Sequence, residues 1–153
     1  MTREKLPNGS FSAPTDSYPC LAPNASGKYV SQLVTTRVTS VASPWMAYCE
    51  PGELHTLPAS HLYGRFIADE AAVAALIKNG QIATQYVDNT DTPTGKTPFN
   101  PNGSGCAIEG ISSPDGRVLG KMTLPQRRTS RCYINVPGNK DTRIFAAGID
   151  YFK

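Results

Sequence analysis

The chain has 153 residues, 39% hydrophobic and 18% charged, with a net charge of +3. That suits one globular domain able to bury a core. Its only tight basic cluster is Arg127, Arg128 and Arg131, with no aromatic-interleaved stripe, which excludes nucleic acid as a main partner. No apolar run reaches the roughly 20 residues that cross a bilayer, and the amino terminus has no apolar signal core. The expectation is a cytoplasmic protein without membrane contact.

Residues 1–27 are rich in Pro, Gly, Ser and Asn and read as a flexible or irregular arm, with residues 28–153 as the domain. Tyr29 to Val41, dense in Val and Thr, is expected to be a strand. Leu54 to Phe66 reads as extended, with Pro58 marking an edge or a bulge. Asp69 is placed to cap a helix over the Ala-rich segment that follows, and Asn79-Gly80 to close it. Gln81 to Val87 is a strand, and Asp88 to Gly105 a long loop. Cys106 to Ile111 and Arg117 to Met122 form a hairpin about the turn Ser113-Pro114-Asp115-Gly116. A second helix spans about Asp141 to Tyr151, with Phe145 and Ile149 on one face. This order predicts an α/β protein, a mixed sheet with an antiparallel hairpin and two main helices.

Chemical candidates are few. Cys20, Cys49, Cys106 and Cys132 are too widely spaced for a zinc knuckle or a thioredoxin-like motif and read as reduced structural thiols. Cys49 and His55 are six residues apart, as are His55 and His61; a strand would put both histidines on one face. Two histidines without a carboxylate pair predict no metal site. A Cys49 or Cys106 nucleophile with His55 or His61 needs a spatial meeting that spacing does not establish. Asp69 and Glu70 are explained by capping and the helix dipole, and Glu53 is a bare acid/base candidate. Asn100-Pro101-Asn102-Gly103-Ser104-Gly105 can turn successive amides into an anion-binding concavity, or be a plain turn.

Longer motifs carry a family resemblance. They are Ser43-Pro44-Trp45, Glu53-Leu54-His55-Thr56, Ser60-His61, Gly64-Arg65-Phe66, QIATQYVD at 81–88 and NPNGS at 100–104. AIEGI at 107–111, SPDGRVLGKM at 113–122 and VPGNKD at 136–141 complete the set. From about Lys28 onward the chain resembles the carboxy-terminal part of the glutamine amidotransferase domain of phosphoribosylformylglycinamidine synthase, long single-chain type. The resemblance implies a partial class I glutamine amidotransferase-like fold and an amidation reaction of purine biosynthesis. In the family a cysteine on a sharp strand-to-helix turn attacks the glutamine side-chain amide, with a histidine and a glutamate activating it. The ammonia passes to a synthetase domain.

At three places the chain departs from that pattern. The nucleophile turn lies upstream of the matched region. Leu124 and Gln126 stand where the family has its catalytic histidine and glutamate, so no catalytic residue is expected to be intact. Leu62 and Tyr63 replace a Gly-Glu pair and are expected to crowd the site. The resemblance leaves His61, Gly64, Arg65, Asn100, Asn102, Gly103 and Ser104 as substrate-binding candidates for glutamine or another small carboxylate. It implies no cofactor in this chain, because ATP and Mg would belong to the synthetase part. The expected partner is a synthetase domain or a second copy, with an uncovered sheet edge as the reason for association. The rival readings are a non-catalytic binding or assembly module and a cysteine hydrolase using Cys49 or Cys106.

Overall fold

The computed structural model describes residues 19–129 and 131–153. Seven strands and two helices follow in chain order: β1 (Cys20–Pro23), β2 (Val30–Val38), β3 (Leu54–His61), β4 (Tyr63–Ile67), α1 (Glu70–Lys78), β5 (Ile82–Tyr86), β6 (Ile108–Ser112), β7 (Leu119–Lys121) and α2 (Ile144–Phe152). Single 3-10 turns occur at Pro44–Met46 and Gly105–Ala107. Five strands form one sheet in the order β3-β2-β5-β6-β7, and β1 with β4 forms a second, two-stranded sheet. All these strand pairings are antiparallel, so the mixed sheet expected from the sequence is antiparallel throughout the described residues.

Alternation builds the core. Along β3, His55, Leu57 and Ala59 are buried and their neighbours half-buried, as period two requires. Val30 and Val34 of β2 meet Ala59, Tyr86 and Ala107 in one cluster, while Val38 joins Met46, Cys49 and Ile144 in another. Phe66, Ile82 and Ile108 form a third, against which Leu76 of α1 packs. Asp69 caps α1, its carboxylate accepting from the Ala72 amide at 2.7 Å, and Gly80 closes the helix with φ +64°.

Several expectations change. Of the arm, residues 1–18 lie outside the described residues, but Cys20–Pro23 pair with β4 as a strand. Leu54–Phe66 is two strands in two sheets, divided at Leu62. Pro58 does sit on an edge strand, where its missing N–H costs no ladder bond. That edge is largely covered, however: Ala59 bridges Thr123, the Leu124 amide donates to the Pro58 carbonyl at 2.9 Å, and the Thr56 amide donates to the Asn139 carbonyl at 2.7 Å. The opposite edge, β7, is only three residues long. α2 begins at Ile144, and its buried residues are Ile144, Ala147 and Gly148, leaving Phe145 and Ile149 exposed. Gly148 is explained by close approach, since a Cβ there would fall 2.2 Å from the Trp45 ring. No helix among the described residues is long and apolar enough to cross a membrane.

Candidate functional site

The segment after β7 doubles back along β3 and carries Leu124 and Gln126 into an open groove of about 500 Å³, lined also by Trp45, Lys121, Thr123, Ile144 and Phe145. What holds this segment is Glu109 of β6. Its carboxylate is fully buried and accepts from Lys121 Nζ at 2.5 Å, from the Met122 amide at 3.0 Å and from the Thr123 amide and hydroxyl at 2.7 Å each. The Thr84 hydroxyl donates to it as well. Burial alone would favour the neutral acid, but the Lys121 ammonium and the donated hydrogen bonds outweigh it and hold the carboxyl below its usual range. Sequence reading missed this network. A signal was present: an acid inside an apolar strand needs a cation, and the hairpin register sets Lys121 opposite Gly110, next to Glu109.

The substrate-binding candidates do gather, but largely to bond one another. Asn100 Oδ1 accepts from the Gly103 and Ser104 amides at 3.1 and 3.0 Å. Asn102 Oδ1 accepts from the Ser104 amide and hydroxyl at 3.0 and 2.8 Å, and its Nδ2 donates to the Gly64 carbonyl and Tyr86 Oη at 2.7 and 3.1 Å. Ser104 Oγ in turn accepts from the Phe66 amide at 3.0 Å. The amides that a concavity would offer an anion are thus taken by side chains, and the loop latches onto β4. Asn102 and Asn100 are 0% and 1% exposed, so the latch is part of the core.

His61 and Arg65 differ. The His61 ring lies against Gly64, where a Cβ would come within 2.5 Å of it. His61 Nδ1 meets Asn24 Oδ1 at 3.2 Å, but its Nε2 and Arg65 Nε are buried without a hydrogen-bond partner among the described residues. Burial lowers the His61 pKa, against the pull of Glu109, and so favours the neutral ring. Leu62 and Tyr63 are 41% and 62% exposed and do not line the groove of Leu124 and Gln126.

The cysteines separate clearly. Cys106 is exposed on a 3-10 turn at φ +52°. Cys49 is buried at the end of the turn that follows Met46, and its thiol donates to the Thr142 carbonyl at 3.2 Å. It lies beside His55 and Glu53, whose Nε2 and Oε1 are 3.1 Å apart. Burial pushes the Cys49 thiol up and the His55 imidazole down, favouring the neutral form of each. His55 and His61 share a face of β3, yet their hydrogen bonds go to Glu53 and Asn24, and no hydrogen bond joins a described histidine to a described cysteine.

The chain matches the CobB/CobQ-like glutamine amidotransferase domain family over residues 2–152. It is 37% identical over 124 residues to the phosphoribosylformylglycinamidine synthase subunit PurQ of Thermomicrobium roseum, covering 81% of this chain and 50% of that one. PurQ of Methanosarcina mazei is 32% identical over 151 residues, covering 99% and 59%. The structure of PurLQS from Thermotoga maritima shares the fold, with a TM-score of 0.65 at 24% identity over 89% of this chain and 54% of that chain. The chain spans about half the length of these relatives. With a family match along almost its whole length, it belongs to the CobB/CobQ-like glutamine amidotransferase domain family.

Proposed function

We propose that this chain is a degenerate, partial glutaminase domain of phosphoribosylformylglycinamidine synthase that does not hydrolyse glutamine and serves as a scaffold for a synthetase partner. One observation carries the reading. Leu124 and Gln126 line the groove, and the family resemblance of the sequence gives their positions to a histidine and a glutamate. Amide hydrolysis by a thiol needs a base to take the thiol proton and an acid to hold that base as an imidazolium. Leucine accepts no proton and glutamine carries no charge, so neither step has an agent there. Removing one member of such a unit costs several orders of magnitude in rate. The buried Glu109 network and the Asn100–Ser104 latch are the intact polar core of a folded domain and support a role carried by its shape.

Two other readings each have one observation in their favour. The unpartnered His61 Nε2 and Arg65 Nε support a binding module for glutamine or another small carboxylate, detectable as a saturable rise in thermal stability. The meeting of Cys49, His55 and Glu53 supports a cysteine hydrolase. Against it, the thiol is 7% exposed and keeps its proton, which is the state of an inert structural cysteine.

The test is glutamate release from glutamine by the purified chain, with and without a synthetase-domain partner. No release above buffer in either condition is expected. Release that Cys49→Ala or Cys106→Ala abolishes would overturn the proposal.

A further inference from the structure

The site around Cys49 admits a different use, independent of glutamine chemistry. The Cys49 thiol, the Glu53 carboxylate and the His55 imidazole each place one donor atom within 4.8 Å of the other two. Zinc bonds of about 2.0–2.3 Å set tetrahedral donors roughly 3.3–3.8 Å apart, so the cluster is about an ångström wider than a closed site. His55 Nε2 and Glu53 Oε1 are 3.1 Å apart, a hydrogen-bond distance slightly shorter than that spacing, so they need part only by a few tenths of an ångström to admit an ion. The elements carrying the donors are held in place. Cys49 packs with Val38, Met46 and Ile144, and His55 is a buried β3 residue. Glu53 keeps 19% side-chain exposure, which gives an ion a path in.

We propose that Cys49, Glu53 and His55 bind one Zn(II) ion, leaving a fourth position for water. Sulfur, imidazole and carboxylate donors together suit a borderline dication such as Zn(II) or Co(II) rather than Mg(II) or Ca(II). A thiolate and a carboxylate neutralise the ion; the thiol gives its proton to solvent and the imidazole binds uncharged. Arg143 Nη2 lies 3.2 Å from both Glu53 oxygens, and Asn139 Nδ2 lies 3.3 Å from Oε1. Arg143 is about half exposed, so it keeps the outer oxygen or swings into solvent as the inner one turns to the metal. Each ligand type was visible in the sequence. Their meeting depends on the turn at Pro51-Gly52, which brings the Cys49 end of the loop back beside β3.

Co(II) titration of the intact chain tests this. Saturation at one equivalent is expected, with the visible bands of a tetrahedral site and a thiolate-to-cobalt band in the ultraviolet. Zn(II) should displace Co(II) and bleach both. Cys49→Ser should remove the thiolate band and weaken binding at least tenfold, while Cys106→Ser and Cys132→Ser leave both unchanged. If Cys49→Ser does not fold, zinc-edge X-ray absorption on the unmutated chain decides, with one sulfur among nitrogen and oxygen ligands expected. No cobalt spectrum, a thiolate band that survives Cys49→Ser in folded protein, or a zinc shell without sulfur would overturn the proposal.

Discussion

Replacing Lys121 by methionine removes the only ammonium, among the described residues, paired with a carboxylate that has no solvent exposure. Glu109 is 0% and Lys121 7% exposed at the side chain, with Nζ and Oε2 2.5 Å apart. Breaking a buried pair from one side costs about 3–5 kcal/mol, because the remaining charge keeps its desolvation penalty. Glu109 retains donors from Thr84, Met122 and Thr123, which sets the expectation at the lower end, about 3 kcal/mol. At about 2–4 °C per kcal/mol for a domain of this size, the melting temperature should fall by roughly 6–12 °C. Urea unfolding followed by circular dichroism at neutral pH measures the loss. Glu109→Gln and the Glu109→Gln/Lys121→Met pair complete a cycle in which the double change costs less than the sum. The sign with pH is fixed as well. The Glu109 pKa is depressed in the fold, so the pair's stabilisation is present above the ordinary carboxylate pKa and is lost as pH falls through the depressed one. The Lys121→Met deficit should therefore shrink in acid. A neutral-pH deficit under about 1 kcal/mol, the range of a surface pair, would refute the reasoning.

Two further outcomes follow from the same contacts. Asn102→Ala removes the Nδ2 donor to the Gly64 carbonyl and the Oδ1 acceptor of the Ser104 amide and hydroxyl, leaving the carbonyl to the Ser104 hydroxyl at 3.3 Å and the amide to Asn100, and should cost about 1–3 kcal/mol in all, read as a lower urea midpoint; an unchanged midpoint would mean that the loop is not a latch. His55 and His61 both have depressed pKa values, so the unfolded chain takes up protons that the folded chain refuses. Stability should be full above about pH 6.5 and decline below it, and His55→Gln should flatten part of that slope; a urea midpoint constant from pH 7 to 5 would contradict this.

Local chemistry made much of the fold legible. Asp69 before an Ala-rich run and Asn79-Gly80 after it bracketed α1 because capping is a short-range matter of a few backbone groups. Ser113-Pro114-Asp115-Gly116 gave the hairpin for the same reason, with Gly116 at φ +71°. Long-range pairing was not legible in this way. Nothing in Cys20–Pro23 signals a strand, because it exists only through its ladder to β4. Which face of α2 packs was illegible for a related reason. Phe145 and Ile149 do share a face, but it is exposed, and the approach of Trp45 to Gly148 makes Ile144, Ala147 and Gly148 the packed one. Sequence motifs picked out the residues that converge at Asn100–Ser104 and Gly64, but not that their polar groups would be spent on one another. Cys49 and His55 were paired by spacing alone and Glu53 was noted singly; the three form one group only in the folded chain.

The proposal that this chain does not hydrolyse glutamine is tested most directly by covalent capture with a glutamine-mimicking chloroketone, mapped by mass spectrometry at each cysteine. Cys49 is expected to stay unlabelled in the folded chain, and no cysteine is expected to react faster than in a peptide of its own sequence. Glutamine should give no protection. Stoichiometric labelling of one cysteine that glutamine slows would contradict it.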